Sequence, residues 1–171
     1  MLFSMFPRLV VNTITPNASI IVTDIFRRIS LNKFKSNLVF LQTVTVPDGF
    51  TIEQVSDKFY DRPDYHWVIM IVNDMVDVRK EWPMSSSDLL AYAKKKYGDT
   101  QIYETHHYRT TDGNKLIVDY DAEDIANGDI EEITNIAHEE ELNDAKREIK
   151  ILDPKYLADF VSIYSSMITG N

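Results

Sequence analysis

The spacing of apolar residues indicates a strand and then a helix between residues 41 and 60. Residues 41–46 follow a two-residue period and are rich in β-branched types, which favours a strand. Pro47-Asp48-Gly49 is a turn signal. Thr51 and Gln54 have the spacing of a capping box, so a helix is expected to begin directly after Thr51. The apolar face of this helix consists of Ile52, Val55, Phe59 and Tyr60.

A second helix is expected after a proline break. Proline disfavours the helical conformation of the residue before it, so Asp61-Arg62-Pro63 ends the first helix. Asp64 is predicted to cap the second helix. From Trp67 to Val72 this helix is apolar almost all round, which predicts that it is buried. Asn73-Asp74 then ends it.

A third helix and a β-hairpin are predicted next. Ser85–Ser87 lead into a helix that ends at Tyr97, and Gly98 follows at the position where glycine is favoured. Residues 102–109 and 116–120 have the composition of strands. Between them, the Asp-Gly step of residues 112–113 is a hairpin turn signal.

Acidic residues dominate the stretch that follows the hairpin. Residues 121–132 are expected to form an acidic loop. A charged helix is predicted over residues 133–150, because its acidic first half and basic second half match the helix dipole. Leu142, Ala145 and Ile149 are spaced for one contact face of that helix. A final short helix is predicted over residues 155–167.

These patterns predict an α+β fold in three parts. Residues 1–40 are expected to form an extended N-terminal arm, in which Ile20-Ile21-Val22 is strand-like. Residues 41–100 hold the strand and the first three helices. Residues 101–171 hold the β-hairpin and a helical C-terminal segment.

The composition limits the classes of partner. The 171 residues carry a net charge of -9, and phosphates repel so acidic a chain, so no nucleic-acid partner is expected. The chain has no cysteine, which excludes disulfides, thiolate metal sites and thiol nucleophiles, and fits folding in a reducing cytoplasm. Its apolar runs are too short to span a bilayer, and residues 1–11 lack the features of a signal peptide. We therefore expect no membrane contact and no export by a cleaved signal.

The sequence offers little catalytic or metal-binding chemistry. Adjacent His106 and His107 would point to opposite faces of a strand, and His66 and His138 are isolated, so no metal site is predicted. Residues 119–124 lack the glycine of a calcium loop. No nucleophile elbow, phosphate-binding loop or dinucleotide fingerprint is present. The sequence does not exclude a pair of carboxylates that converge in the fold for glycoside hydrolysis, but no feature singles out such a pair. The expectation is no catalytic residue, no cofactor and no small-molecule substrate.

The order of elements in residues 41–82 resembles a LysM module, a small unit of strand, helix, helix and strand. Residues 45–51 look like its opening strand and turn, residues 52–60 like its first helix, and Val72-Asn73-Asp74 like the asparagine after its second helix. LysM modules usually bind N-acetylglucosamine polymers. This resemblance implies a peptidoglycan- or chitin-binding module as an alternative function.

A longer resemblance covers nearly the whole chain. Its central part runs from Phe59-Tyr60-Asp61-Arg62-Pro63 through Trp82-Pro83-Met84-Ser85. This part resembles the baseplate wedge protein 53 family of T-even-type contractile-tailed bacteriophages. The flanking segments Thr23–Arg28, Thr105–Tyr108 and Leu142–Arg147 resemble the same family.

Membership of that family implies a structural, non-enzymatic virion protein of the tail baseplate. Family members have LysM-like cores with arms that join other wedge proteins and help to link neighbouring wedges into a six-fold ring. Aromatic residues at both ends of the chain are the expected partner interface: Phe3, Phe6, Phe34, Phe40, Trp82, Tyr156, Phe160 and Tyr164. A cell-wall hydrolase is a further alternative, but it requires a catalytic constellation that the sequence does not contain.

Overall fold

The structure is a computed structural model that describes residues 6–12, 19–24 and 40–169. The strands are β1 (Arg8–Asn12), β2 (Ser19–Thr23), β3 (Leu41–Thr45), β4 (Thr105–Thr110), β5 (Ile117–Val118), β6 (Ile130–Thr134) and β7 (Glu148–Leu152). The helices are α1 (Ile52–Tyr60), α2 (His66–Val72), α3 (Val78–Glu81), α4 (Ser86–Tyr97), α5 (Ala122–Asn127), α6 (Asn135–Asp144) and α7 (Leu157–Thr169). The predicted α+β class is confirmed.

The chain forms two compact units that interleave in sequence. The first unit comprises residues 1–44, 51–78 and 149–171, and the second comprises residues 45–50 and 79–148. Most of the second unit is therefore an insertion between α2 and β7 of the first. The predicted division of the chain into residues 1–40, 41–100 and 101–171 stays a prediction. Compact units in the folded chain do not show which segments fold independently.

The first unit has the element order strand, helix, helix and strand, with β7 as the closing strand. β3 pairs with β7 in a two-stranded sheet. The Asp153 N–H donates to Phe40 O at 2.9 Å, and the Val46 N–H donates to Arg147 O at 2.8 Å. These two bonds pair residue 40 with residue 153 and residue 46 with residue 147. The residue number along β7 therefore decreases as the residue number along β3 increases, so the two strands are antiparallel. The LysM resemblance itself stays a prediction.

The predicted capping box at the start of α1 is confirmed. The Thr51 N–H donates to Gln54 Oε1 at 2.8 Å, and the Gln54 N–H donates to Thr51 Oγ1 at 3.3 Å. The helix buries Ile52, Val55 and Tyr60. It ends at Asp61, whose φ of 55° is left-handed, a conformation that aspartate tolerates better than most residues.

The expected capping role of Asp64 is wrong. A 3-10 turn spans Pro63–Tyr65, and α2 begins at His66 without a side-chain cap. Proline has a backbone φ suited to the first position of a helical turn and needs no hydrogen-bond acceptor there. The turn therefore starts at Pro63 and leaves Asp64 inside it, where its carboxylate lies 3.3 Å from the Arg62 guanidinium.

The predicted burial of α2 is confirmed for its central residues. Trp67, Val68 and Ile69 are buried in the first unit. The Trp67 ring lies 6.3 Å from the Phe160 ring and 5.1 Å from the Tyr164 ring of α7, measured between ring centroids. Aromatic pairs at these distances contribute beyond the apolar area that they bury. The C-terminal helix is thus part of the first unit's core.

One asparagine side chain connects the end of α2 to β7. Asn73 Nδ2 donates to Ile69 O at 2.8 Å and to Lys150 O at 2.7 Å. Its Oδ1 accepts the Lys150 N–H at 2.7 Å. The same amide therefore caps the helix and satisfies both backbone groups of one residue of β7.

In the second unit, β4 lies between β5 and β6 in an antiparallel sheet, and α4 and α6 complete the unit. The buried apolar residues of these elements include Leu89, Ala93, Ile102, Ile130 and Ile133. The predicted hairpin is confirmed as the β4–β5 pair. The predicted glycine after α4 is confirmed as well: Gly98 has a φ of 109°, which L side chains rarely adopt.

The expected acidic loop over residues 121–132 is wrong. Asp121 caps α5, because its carboxylate accepts the N–H groups of Glu123 at 2.8 Å and Asp124 at 3.2 Å. Gly128, with a φ of 79°, ends the helix, and β6 begins at Ile130. Acidic side chains at a helix N-terminus are stabilising, so the charge run favours this short helix.

The single helix expected over residues 133–150 is also wrong. Its ends lie in β6 and β7, and only Asn135–Asp144 is helical. Residues 130–134 pair with β4, and residues 148–152, which alternate with a two-residue period, pair with β3. This strand pairing overrides the helical propensity of both segments. The expected contact face is wrong too: Leu142 and Ala145 are exposed, whereas Asn143 is only 3% exposed.

A bulge in β4 changes the direction of two histidines. The β4–β6 register steps from Thr105↔Thr134 to His107↔Ile133, which leaves His106 as an extra residue. The expectation that His106 and His107 point to opposite faces is therefore wrong. Their Nδ1 atoms lie 2.8 Å apart.

Polar side chains join α6 to the segment before α4 in the second unit. Asn143 Oδ1 accepts the Met84 N–H at 2.7 Å, and its Nδ2 donates to Met84 O at 3.0 Å. Arg147 donates to Asp48 Oδ1 at 2.8 Å, and Asp48 accepts the Ser86 N–H at 3.0 Å. Hydrogen bonding by Arg147 and Ser86 holds the pKa of the Asp48 carboxyl below its ordinary value.

Replacing Asn73 is expected to destabilise the first unit. Asn73→Ala leaves the Lys150 N–H and C=O without their side-chain partner, so we expect a loss of about 1–2 kcal/mol in the free energy of unfolding. Urea unfolding followed by circular dichroism measures it. Lys150→Ala is the matched control, since the bonds use only the Lys150 backbone. Equal unfolding curves for the two variants would contradict this role of Asn73.

Replacing Asn143 is expected to destabilise the second unit by more. Asn143→Leu keeps a similar volume but leaves the Met84 N–H and C=O unsatisfied, at a cost of about 2–4 kcal/mol. Leu142→Ala, at the exposed neighbouring position, is expected to cost under about 0.5 kcal/mol. Thermal and urea unfolding of both variants check this order. If Leu142→Ala proves the more damaging, the assignment of the α6 contact face fails.

Candidate assembly surface

The arm residues that the structure describes contain a β-hairpin. β1 and β2 pair antiparallel along their full length, with Val10 opposite Ile21 and Val11 opposite Ile20. At its open end the Asp24 N–H donates to Pro7 O at 2.9 Å. The strand-like run Ile20–Val22 is confirmed as part of β2. Its partner strand was not predicted, although the run Leu9-Val10-Val11 carries the same β-branched signal.

Each face of this hairpin carries exposed apolar side chains. Residues opposite each other in an antiparallel pair share a face. One face carries Leu9, Val11, Ile20 and Val22, and the other carries the pair Val10 and Ile21 between the polar residues Arg8, Asn12, Ser19 and Thr23. Val10 and Ile21 are each 68% exposed, and Leu9, Val11 and Ile20 are also exposed. A sheet in a globular domain ordinarily packs one apolar face against a core. The exposed apolar side chains of this hairpin therefore make it a candidate protein–protein interface.

The edges of the hairpin are also accessible to pairing. Among the described residues, β1 and β2 each have one strand neighbour, and the hairpin makes its extensive contacts only between its own strands. A two-stranded hairpin alone is marginally stable in water. Outer strand edges and apolar faces together suit a protein partner that packs on the hairpin or adds a strand to it.

The predicted interface residues fall into three groups. Phe3 and Phe34 lie outside the described residues, and Phe6 is half-buried. The structure brings Phe40 and Tyr156 together, with ring centroids 4.3 Å apart and both side chains half-buried.

The other three predicted residues lie inside their own units. Trp82 is buried, and its Nε1–H donates to Phe50 O at 2.8 Å in the second unit. Phe160 and Tyr164 are buried against Trp67 in the first unit, and burial raises the pKa of the Tyr164 hydroxyl. These positions give the three aromatic residues packing roles within the chain itself.

An ion pair lies beside the Phe40–Tyr156 contact. Lys155 Nζ lies 2.8 Å from Asp153 Oδ2 and 4.9 Å from the centre of the Tyr156 ring. The hydrogen bonds from Lys155 lower the pKa of the Asp153 carboxyl, and the same pair raises the pKa of Lys155. This second patch is therefore smaller and more polar than the hairpin.

A groove of about 290 Å³ lies between α4 and α6 in the second unit. Leu89, Leu90 and Ile136 form its apolar wall, and Glu140 and Arg147 form part of its polar wall. Its size suits one large side chain rather than a helix or a small-molecule cofactor. Separately, no helix within the described ranges is long and apolar enough to cross a membrane.

Comparison with known proteins gives one family. A family model described as base plate wedge protein 53 matches residues 1–151, which include the β1–β2 hairpin, the second unit and most of β7. No curated protein matches the chain. The resemblance found in the sequence is confirmed. The chain therefore belongs to the base plate wedge protein 53 family, whose members are structural proteins of the phage tail baseplate and associate there with other baseplate proteins.

Proposed function

We propose that this protein joins other wedge proteins and helps to link neighbouring wedges into the six-fold baseplate, with the β1–β2 hairpin as a docking element. The observation that carries the proposal is the exposure of apolar side chains on both faces of the hairpin within a chain of the base plate wedge protein 53 family. The role is architectural and involves no catalysis.

The energetics constrain how the partner holds the hairpin. Burying a fully exposed Val, Leu or Ile side chain contributes about 1.5–3 kcal/mol. The apolar hairpin side chains are already partly covered, so about half of this burial energy is still available at each position. Summed over its side chains, each hairpin face offers a partner roughly 3 kcal/mol. Association costs at least about 4 kcal/mol in lost translational and rotational freedom. One face is therefore too little, and the partner must cover both faces or add backbone hydrogen bonds at an edge.

The Phe40–Tyr156 pair is a second proposed contact. Both rings are half-buried and already in contact, so a partner that covers them pays little side-chain entropy. Phe3, Phe6 and Phe34 belong to the same arm in sequence and stay in the proposed interface on that ground.

The glycan-binding alternative has less support. Sugar recognition on a unit with this element order needs exposed aromatic rings along the two helices. Tyr60 of α1 and Trp67 of α2 are buried, and the Arg62 guanidinium lies over the Tyr65 ring at 5.2 Å from its centre. Architectural assembly therefore fits the described residues better than carbohydrate binding.

Loss of the apolar pair Val10 and Ile21 is expected to weaken wedge assembly. The chain is co-expressed with the other wedge proteins of the same phage, and the complex is purified and sized. Val10→Thr with Ile21→Thr keeps β-branched residues in the strands but replaces exposed apolar groups, which the proposed partner would cover, with hydroxyl groups. We expect at least a tenfold weaker association, which is about 1.4 kcal/mol.

The matched control is Ile117→Thr in β5, which replaces an isoleucine of similar exposure in another hairpin. This variant should assemble as the unaltered chain does. Assembly of the double variant at full strength would exclude the hairpin as the docking element. Failure of the unaltered chain to join any wedge complex, together with retention on peptidoglycan, would favour the glycan-binding alternative.

A further inference from the structure

Three histidine side chains converge in the second unit. The bulge at His106 brings its Nδ1 to 2.8 Å from Nδ1 of His107. His138 of α6 stacks on His106, with ring centroids 4.0 Å apart and an angle of 13° between the rings. One ring nitrogen from each histidine lies within 4.8 Å of one from each of the others.

This arrangement meets the requirements of a transition-metal site. Imidazole nitrogen is a favoured ligand of Zn²⁺ and similar divalent ions, and three protein nitrogens with one open position form a common tetrahedral set. Two nitrogens bound to one tetrahedral zinc ion lie about 3.3 Å apart. The spacings here, from 2.8 Å to within 4.8 Å, bracket that distance. The His106 and His138 rings are stacked, so side-chain rotation is needed to direct all three nitrogen lone pairs at one ion.

We propose that His106, His107 and His138 bind one divalent transition-metal ion of the Zn²⁺ class. The ion cross-links β4 to α6, since two ligands come from the strand and one from the helix. Its fourth position is open to water. The Nδ1 atoms of His106 and His107 lie in hydrogen-bond contact, so one of them carries a proton. That ring binds the ion through Nδ1 when this proton moves to its Nε2, which keeps the imidazole neutral.

The surrounding charges suit a site whose ligands are neutral. Burial, together with the neighbouring imidazoles and Lys96, lowers the pKa of His106, which favours the neutral form of the ring. Glu139 follows His138 and accepts hydrogen bonds from Lys96 Nζ at 2.6 Å and Tyr97 Oη at 2.8 Å. Desolvation raises the pKa of Glu139, but these bonds outweigh it and lower the pKa overall.

Zinc titration of the full chain tests the proposal. A tag-free sample is freed of metal with a chelator, and Zn²⁺ is added in a calorimeter at neutral pH. We expect one ion per chain. His107→Ala and His138→Ala should each weaken binding at least a hundredfold, since two imidazoles remain. His66→Ala is the matched control: His66 lies in the first unit with its Nδ1 3.0 Å from Pro63 O, and this variant should bind as the unaltered chain does.

Thermal unfolding gives a second readout that does not depend on calorimetry. Zinc at a hundredfold excess over its Kd should raise the Tm of the unaltered chain and of His66→Ala by about 5–10 °C. The Tm of His138→Ala should not change with zinc. Absence of zinc uptake and of a Tm increase in the unaltered chain would overturn the proposal, as would undiminished binding by the triple variant His106→Ala, His107→Ala, His138→Ala.

Discussion

The pairing of β3 with β7 is the constraint on which the first unit depends. Residues 46–147 separate the two strands in sequence, and they include most of the second unit. The sheet can therefore close only through contacts that are distant along the chain, which are entropically costly to form. The Asn73 amide supports this closure, because it bonds to both backbone groups of Lys150 in β7 while it ends α2. Burial of Trp67 against α7 stabilises the same unit.

The proposed docking role of the N-terminal hairpin rests on a contrast between this hairpin and the two units. Both units have buried apolar cores, and side-chain hydrogen bonds of Asn143 and Arg147 hold loops of the second unit. The β1–β2 hairpin lacks such support among the described residues and exposes apolar side chains on two faces. A component of a larger assembly is expected to keep such a segment for contact with its neighbours. The metal cross-link proposed at the bulge of β4 would act within the second unit and does not depend on that contact.

Local signals in the sequence were sufficient for some elements and not for others. The Thr51–Gln54 capping box and the turn at Asp112-Gly113 act over a few residues, so the helix and hairpin that they define were predictable. The secondary structure of residues 130–152 was not predictable, because the strands that pair with β6 and β7 lie far away in the sequence. The histidine cluster depends on a one-residue bulge, which no pattern in the sequence reveals. The buried position of Asn143 likewise follows from the distant Met84 backbone.

The proposed role of this chain is that of a baseplate assembly subunit whose N-terminal hairpin contacts a neighbouring protein. Cryo-electron microscopy of the assembled tail of the same phage tests it most directly, because it shows what surrounds residues 8–23 in the virion. The account predicts that another baseplate protein covers Val10 and Ile21 and either packs on the opposite hairpin face or pairs with an outer strand edge. A hairpin that points into solvent in the complete baseplate would contradict the account.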